Sequence, residues 1–245
     1  EIHFSTGSNT ARSSSNFYAL NNGIATLFEI RGVGIGKTSF KRRINSGLAV
    51  GFSFLKTAFE NSNFIFNQID VANTNTNDIV LQHERSIYTD VIKAIDIESN
   101  ELIDFSTTMH SSKDSYAISK RDRPLAYIIK KNNYGFIEKL NDVGVNYVEL
   151  EKDTMIYSGG YKVVEFNNKF KVYEKMKMQK VVTSIEYSNN KFSKGDILIS
   201  MNQKRSNLIA ELLEPEAPNS YVSFGIIKTS LNNQLPIYRI KNFNN

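Results

Sequence analysis

The strongest pattern of apolar and polar positions lies between residues 25 and 61. Residues 26–30 form an apolar run broken by one carboxylate, Glu29, and such a run predicts a buried strand. Between 39 and 61, apolar side chains recur at spacings of three and four, which predicts a helix with one apolar face. These side chains belong to Phe40, Ile44, Leu48, Phe52, Leu55 and Phe59. The pattern therefore predicts a strand, a glycine-rich loop and a long helix, with Ser39 as the N-cap.

Downstream of residue 66 the apolar positions recur every second residue, which is typical of strands. Short strands are predicted at 79–81, 86–89, 91–97 and 102–105. From residue 121 the pattern predicts a buried strand at 124–129, a short helix at 134–143 and strands at 145–150, within 162–187 and at 195–200, followed by a helix at 206–213. The second half of the chain is therefore expected to be rich in sheet.

The first 24 residues are small and polar, which predicts a loop before the first strand. A disordered tail is the other interpretation that this composition leaves open. Arg12 lies in this run, and its planar guanidinium suits paired hydrogen bonds to a carboxylate. A solvated loop arginine is the plainer interpretation of the same residue.

The loop between the predicted strand and helix contains Gly32, Gly34 and Gly36 and continues into Lys37 and Thr38. A phosphate-binding loop would require a glycine five residues before Gly36, and that position holds Arg31. A loop of the wrong length cannot wrap a phosphate in the same way, so nucleotide binding is not favoured. Three glycines that merely allow a sharp, closely packed turn explain the loop equally well.

Glu29 is the chemically informative residue of this stretch. A carboxylate near the end of a buried strand is costly to desolvate unless it has a role. Together with Arg31, Gly32, Gly34, Ser39, Phe40, Arg42 and Arg43, it forms a pattern that resembles the catalytic-glutamate segment of bacterial zinc metallocarboxypeptidases of the carboxypeptidase A-like family. The resemblance implies that Glu29 is the general acid/base and that Arg12 binds the substrate carboxylate.

Two further segments resemble the same group of proteins. One begins at Arg123-Pro124 and continues through Ala126-Tyr127, and the other is the run Leu212-Leu213-Glu214-Pro215-Glu216 before Ser220. The expected fold class is thus α/β: the end of a carboxypeptidase-like mixed-sheet catalytic domain, followed by a β-rich mixed α+β extension. The predicted domains are residues 1–66 for the catalytic end, 67–120 for a β-rich linker domain and 121–245 for a small α+β domain.

The resemblance also implies zinc and a peptide or related amide substrate, but the zinc ligands of the family are a His-x-x-Glu pair and a later histidine. The chain has three histidines and no His-x-x-Glu. His83 and His110 lack partners at metal-ligand spacing, and for His3 a ligand role is less favoured than a role at the mouth of the active site or in packing. Because the chain opens at Glu1 without an initiator Met, we expect it to be the C-terminal part of a longer enzyme whose upstream part binds zinc. By itself it would be inactive.

The composition limits the kinds of binding partner that are expected. The net charge of +5 is spread along the chain, and the 16 Phe and 12 Tyr alternate with aliphatic residues as core residues do. Neither a nucleic-acid partner nor a membrane span is predicted. The absence of cysteine excludes a thiolate nucleophile and is compatible with an extracellular or periplasmic location. A peptide- or glycan-binding scaffold derived from the same family is the alternative function.

Overall fold

The computed structural model describes residues 3–30, 32, 34, 36–74, 76–131 and 134–242 of the 245-residue chain. The helices are α1 (Ser14–Leu20), α2 (Phe40–Glu60), α3 (Ser62–Asn73), α4 (Ile137–Asp142, entered through a 3₁₀ turn at Tyr134–Phe136) and α5 (Ser206–Leu213). The strands are β1 (His3–Thr6), β2 (Ile79–Ile95), β3 (Leu102–Arg121), β4 (Ala126–Ile129), β5 (Val148–Glu149), β6 (Thr154–Tyr173), β7 (Met176–Phe192), β8 (Ile197–Ser200) and β9 (Gln234–Ile240). The described part is mixed α/β with more sheet than helix, as predicted.

A three-stranded sheet has the order β1-β3-β2. The strands β2 and β3 form one long antiparallel hairpin, and β1 lies parallel to β3 on its other side. The short strands predicted between residues 79 and 105 are therefore pieces of two long strands. Irregularities in register near Gln82 and Glu84 interrupt the alternation, which is why the sequence pattern looks fragmented.

A six-stranded sheet has the order β5-β8-β4-β9-β6-β7. Its central strand β4 is completely buried, with Tyr127 and Ile129 in one apolar cluster and Ala126 and Ile128 in a second. Because alternate residues of a strand point to opposite faces, the sheet is covered on both sides at this point. The helices α4 and α5 contribute Leu140, Ile209 and Leu213 to the larger cluster.

Two adjacent glycines allow β6 to pass closely between its neighbours. A Cβ atom at Gly159 would lie 2.7 Å from side-chain atoms of Ile185 and Tyr187, and one at Gly160 would lie 2.9 Å from the Tyr238 ring. Such distances are shorter than real Cβ atoms tolerate. The close packing of β7 and β9 against β6 therefore requires glycine at both positions.

The helices α2 and α3 contribute no buried residue. The predicted apolar stripe is present on α2, but it faces outward: Phe52 is 69% exposed and Phe59 is 83% exposed. Ser39 occupies the N-cap position as predicted, in a left-handed conformation and without a side-chain cap hydrogen bond. None of the helices described is long and apolar enough to cross a membrane.

Several predictions about local structure are wrong. Residues 1–24 contain β1 and α1 rather than a continuous loop, and a further helix, α3, follows directly after α2. Residues 26–30 are irregular and exposed instead of forming a buried strand. No described strand lies beside them to accept or donate ladder hydrogen bonds, so their apolar composition alone does not produce a strand. The predicted domain boundaries and the carboxypeptidase-like arrangement stay predictions.

Candidate functional site

Glu29, the predicted general acid/base, lies on the exposed segment that precedes the glycine loop. Its side chain has no hydrogen bond or ion pair with any other described residue. The neighbouring Leu27 is 66% exposed and Phe28 is 50% exposed, although Ile30 reaches α2 near Gly47. The carboxylate is therefore free to interact with a ligand, but the residues described here do not enclose it in a site.

Arg43 on the first turns of α2 organises the glycine loop. Its guanidinium donates hydrogen bonds to the carbonyl oxygens of Gly36 at 2.7 Å and Gly32 at 3.4 Å. A phosphate cradle needs backbone N–H groups directed at the ligand, whereas here two loop carbonyls point at a cation. This geometry argues against nucleotide binding; Arg31, Val33 and Ile35 of the same loop lie outside the described residues.

Arg12, the predicted binder of a substrate carboxylate, already holds a carboxylate of its own chain. It forms an ion pair with Glu174 at the turn between β6 and β7. Its guanidinium also lies 4.0 Å from the ring centroid of Tyr173 and 5.0 Å from that of Phe224. Glu174 and Lys175 have φ angles of 46° and 69°, as in the two-residue turns of tight hairpins. No hydrogen bond or ion pair joins Arg12 to Glu29 in the part of the chain that the structure describes.

A cavity of about 630 Å³ lies beside Arg12, and we call it the Glu211 cavity. Its wall comes from the segment before and within α1, the β2–β3 hairpin, the end of the β6–β7 hairpin, and α5 with the loop after it; these parts contribute Arg12, His83, Ser112, Tyr173, Glu211 and Phe224, among others. One oxygen of Glu211 accepts hydrogen bonds from the backbone N–H and the side-chain amide of Asn219, at 3.1 and 2.7 Å. Burial raises the pKa of this carboxyl, and those hydrogen bonds only partly oppose the rise.

A buried cluster of charges joins the Leu-Leu-Glu-Pro-Glu segment to two strands. Glu214 is completely buried and accepts hydrogen bonds of 2.5 Å from both Arg121 and the Tyr127 hydroxyl. Arg239 on β9 lies 3.3 Å from the same carboxylate. Glu216 accepts hydrogen bonds from Arg121 and Thr183. The partners surround both carboxylates, so the cluster fixes the fold rather than offering a free acid or base.

Sequence spacing missed this cluster because its members come from distant positions. Arg121 and Glu214 are 93 residues apart, and Tyr127 and Glu214 are 87 residues apart. Burial raises the pKa of the Tyr127 hydroxyl and that of the Tyr161 hydroxyl well above the ordinary value for tyrosine. The sequence did contain one signal for this cluster, the two glutamates on either side of a proline after an apolar helix. If that segment packs inward, its carboxylates need buried cations or hydrogen-bond donors as partners.

The histidines do not form a metal centre. The rings of His3 and His110 meet edge to face, with centroids 5.5 Å apart, and His83 Nε2 lies 3.1 Å from the carbonyl oxygen of Asn9. Among the residues that the structure describes, no group of three or more His, Asp or Glu side chains could hold a metal ion. The residues present therefore do not fit a zinc site of the kind that the sequence resemblance implies.

Nearly the whole chain is similar to fungal proteins named carboxypeptidase 2. It is 30% identical over 240 residues to the protein of Trichophyton equinum, an alignment that covers 94% of this chain and 44% of that protein. The Trichophyton rubrum protein is 29% identical with the same coverage, and the Trichophyton tonsurans protein is 28% identical over 235 residues, covering 94% of this chain and 44% of that protein. No protein-family model matches the chain, and no solved structure matches it.

These comparisons support a relationship to carboxypeptidases. The chain spans less than half the length of the curated relatives that it matches. The relatives are fungal rather than bacterial, and the name carboxypeptidase 2 specifies neither a metal nor a catalytic residue. The relationship is therefore coarser than the resemblance to zinc enzymes of the carboxypeptidase A-like type.

Proposed function

We propose that this chain is part of a carboxypeptidase that hydrolyses peptide or related amide bonds. The observation that carries the proposal is the similarity to proteins named carboxypeptidase 2 across 94% of the chain. The proposal places the chain in the C-terminal part of such an enzyme, because the catalytic-glutamate pattern comes early and the β-rich extension follows it. The substrate is a peptide or a peptide-like amide.

The exposed surfaces of the first 74 residues support this placement. The apolar side chains within residues 26–30 are exposed, and so is the apolar stripe of α2, which contributes no buried residue. A large exposed apolar surface marks a place where another protein surface packs. In the proposed enzyme, the remainder of the catalytic domain covers α2 and supplies the strand beside residues 26–30.

Glu29 is the group that we assign to proton transfer. In the proposed reaction its carboxylate accepts a proton from the attacking water and then gives that proton to the leaving amine. Its exposed and unpaired state leaves it available for that task. The proposed zinc requires ligands from outside the described residues, so the contribution of this chain is proton transfer.

Arg12 is proposed to orient the substrate carboxylate. Its contact with Glu174 means that a substrate carboxylate must compete with this glutamate for the guanidinium. The planar guanidinium of arginine donates two parallel hydrogen bonds to a carboxylate, so Glu174 is the same type of partner that the substrate would provide.

The test is the substitution Glu29→Gln in the intact protein as its gene encodes it. Removal of a general base should lower kcat for hydrolysis of a blocked dipeptide by roughly 10²–10⁴-fold. The zinc content per protein chain should be unchanged, since the metal ligands are not altered. Glu138→Gln changes an exposed glutamate on α4 and serves as the matched control with full activity.

Wild-type kcat in the Glu29→Gln protein would refute the assignment of Glu29. An intact wild-type protein that binds zinc and still releases no C-terminal residue from a broad set of peptides would refute the proposed hydrolysis itself. The two results are separate, because the first concerns one residue and the second concerns the activity of the whole protein.

A further inference from the structure

The Glu211 cavity is built from four parts of the chain that are far apart in sequence. The segment before and within α1 lines the cavity together with the β2–β3 hairpin, the end of the β6–β7 hairpin, and α5 with the loop after it. Ion pairing of Arg12 with Glu174 and the contact between His83 and Asn9 hold these parts together. At about 630 Å³, the cavity falls in the size range of small-molecule sites.

The cations of the cavity wall are already engaged. Arg12 is paired with Glu174 and lies against two aromatic rings. The Lys171 ammonium lies 5.4 Å from the ring centroid of Phe170. His83 contacts a backbone carbonyl. An anionic ligand would have to displace one of these contacts.

The acceptors of the wall are not all engaged. One oxygen of Glu211 receives both hydrogen bonds from Asn219, and the second oxygen has no hydrogen-bond partner among the described residues. The hydroxyl of Ser112 is buried without a partner, and rotation about a single bond can redirect it. The nearby Ser115 hydroxyl, in contrast, donates to the Ser112 carbonyl at 2.8 Å. One carboxylate oxygen of Glu211 is thus available as an acceptor, and the Ser112 hydroxyl in the same wall lacks a partner among the residues that the structure describes.

We propose that the Glu211 cavity binds an organic ammonium group, with Glu211 as its counter-charge and Ser112 as a second acceptor. An ammonium carries three N–H donors and one positive charge, which match a free carboxylate oxygen and a free hydroxyl. The carbon chain of the ligand lies against the apolar part of the wall, which includes Val80, Met178 and Pro218. The proposal does not rest on the proposed hydrolysis, although Arg12, which we assign to the substrate carboxylate, lines the same cavity.

The partly buried position of Glu211 in the cavity wall supports the assignment. Burial makes the ionised carboxylate costly, and nothing in the hydrogen bonds from Asn219 requires a charge, since a glutamine oxygen would accept them equally well. A bound ammonium would offset the cost by pairing with the ionised form. A bound ammonium would therefore explain why position 211 holds a glutamate rather than a glutamine.

The experiment measures binding to the intact protein by isothermal titration calorimetry and by NMR of the Asn219 side-chain amide. The probes are n-butylammonium, for a free amine, and Nα-acetyl-lysine amide, for the side chain of a peptide. Nα-acetyl-norleucine amide is the neutral analogue. At least one ammonium probe should bind more tightly than norleucine amide and shift the Asn219 signal, and the better of the two identifies the source of the amine.

Substitutions locate the contact. Glu211→Gln keeps the acceptor for Asn219 and should weaken ammonium binding roughly 10- to 100-fold, the range expected for loss of a charged hydrogen bond. Ser112→Ala should weaken binding by a smaller factor, and Ser115→Ala is the matched control because its hydroxyl is already bonded. If Glu211→Gln does not fold, the ammonium affinities of Ser112→Ala and Ser115→Ala are compared with each other to test the proposal. Equal affinity for the ammonium and norleucine probes, or equal effects of the two serine substitutions, would overturn the proposal.

Discussion

Glu211 and Glu214 are neighbours at the end of α5, yet their surroundings are opposite in kind. Glu214 is fully buried and ringed by Arg121, Arg239 and the Tyr127 hydroxyl, whereas Glu211 has neutral partners on one oxygen only. The first carboxylate is compensated inside the fold, and the second lines a cavity without a paired cation. The two residues therefore predict different responses to substitution.

At Glu211, the raised pKa has a consequence for stability. The ordinary pKa of a glutamate is 4.5, and the folded protein holds this proton more tightly than the unfolded chain does. As pH rises through the interval between the two pKa values, the unfolded chain binds fewer protons than the folded protein, so the free energy of unfolding falls. Glu211→Gln should therefore raise the melting temperature at neutral pH and have little effect at acidic pH.

The measurement is thermal unfolding of both proteins from acidic to neutral pH. Arg12, His83 and Lys171 line the same cavity, and all three are present in both proteins. Glu165→Gln, at an exposed position, is the matched control. A stabilisation by Glu211→Gln that is as large at acidic pH as at neutral pH would contradict the argument.

At Arg121, substitution should expose the cost of a buried charge. Arg121→Met leaves the carboxylates of Glu214 and Glu216 without a main partner, and such losses typically cost roughly 3–5 kcal/mol. Lys191→Met removes the exposed ion pair with Asp153 and should cost under about 1 kcal/mol. Urea unfolding compares the two variants, and equal costs would show that the Glu214 cluster does not stabilise the fold.

At the scale of elements, short-range patterns predicted what neighbouring residues determine. The helix at Ser206–Leu213 and the buried strand β4 were predicted from their apolar spacing, and both are confirmed. Gly144 follows α4 with a φ of 68°, as a glycine after a helix does. Such features depend on residues within one or two turns, so the sequence pattern was sufficient.

Features that depend on distant partners were not predicted. The strand β1 exists because it lies beside β3, with His3 opposite Thr108. Residues 26–30 have a strand-like composition but no neighbour among the described residues, and they are irregular. For the candidate site, the pattern selected Arg12 and Glu29 but gave no indication of Glu174 or of the Glu211 cavity. Their positions follow from tertiary packing, which periodicity does not encode.

At the scale of the whole molecule, a substitution in the outward-facing stripe of α2 tests whether another part of the intact enzyme covers this helix. Phe59 is 83% exposed, so Phe59→Ser should change the unfolding free energy of the 245-residue chain by under about 0.5 kcal/mol. In the intact protein the same substitution should cost several-fold more if another part of the enzyme covers α2, since burial of a phenylalanine is worth about 1.5–3 kcal/mol. Ile129→Val, in the fully buried β4, is the control that should cost about the same in both.

Chemical denaturation of the two lengths of protein gives the comparison directly. An equal and negligible effect of Phe59→Ser in both would mean that the stripe stays in contact with water in the intact protein. That outcome would also remove the support that the exposed helices give to the proposed catalytic domain.

The order of strands in the larger sheet has a consequence for how the chain folds. The strand β4 lies between β8 and β9, and the ion pair of Arg239 with Asp122 closes a loop of 117 residues. Closing such a loop costs entropy before any contact compensates for it, so topologies of this kind fold slowly. During synthesis, β4 and β6 are made before β9, the last strand described. Until β9 pairs with both, the edges of β4 and β6 that it will cover are unpaired and can associate with other chains. We therefore expect the pairing of β9 with β4 and β6 to limit the rate of refolding. The yield of refolded protein should fall as the protein concentration rises.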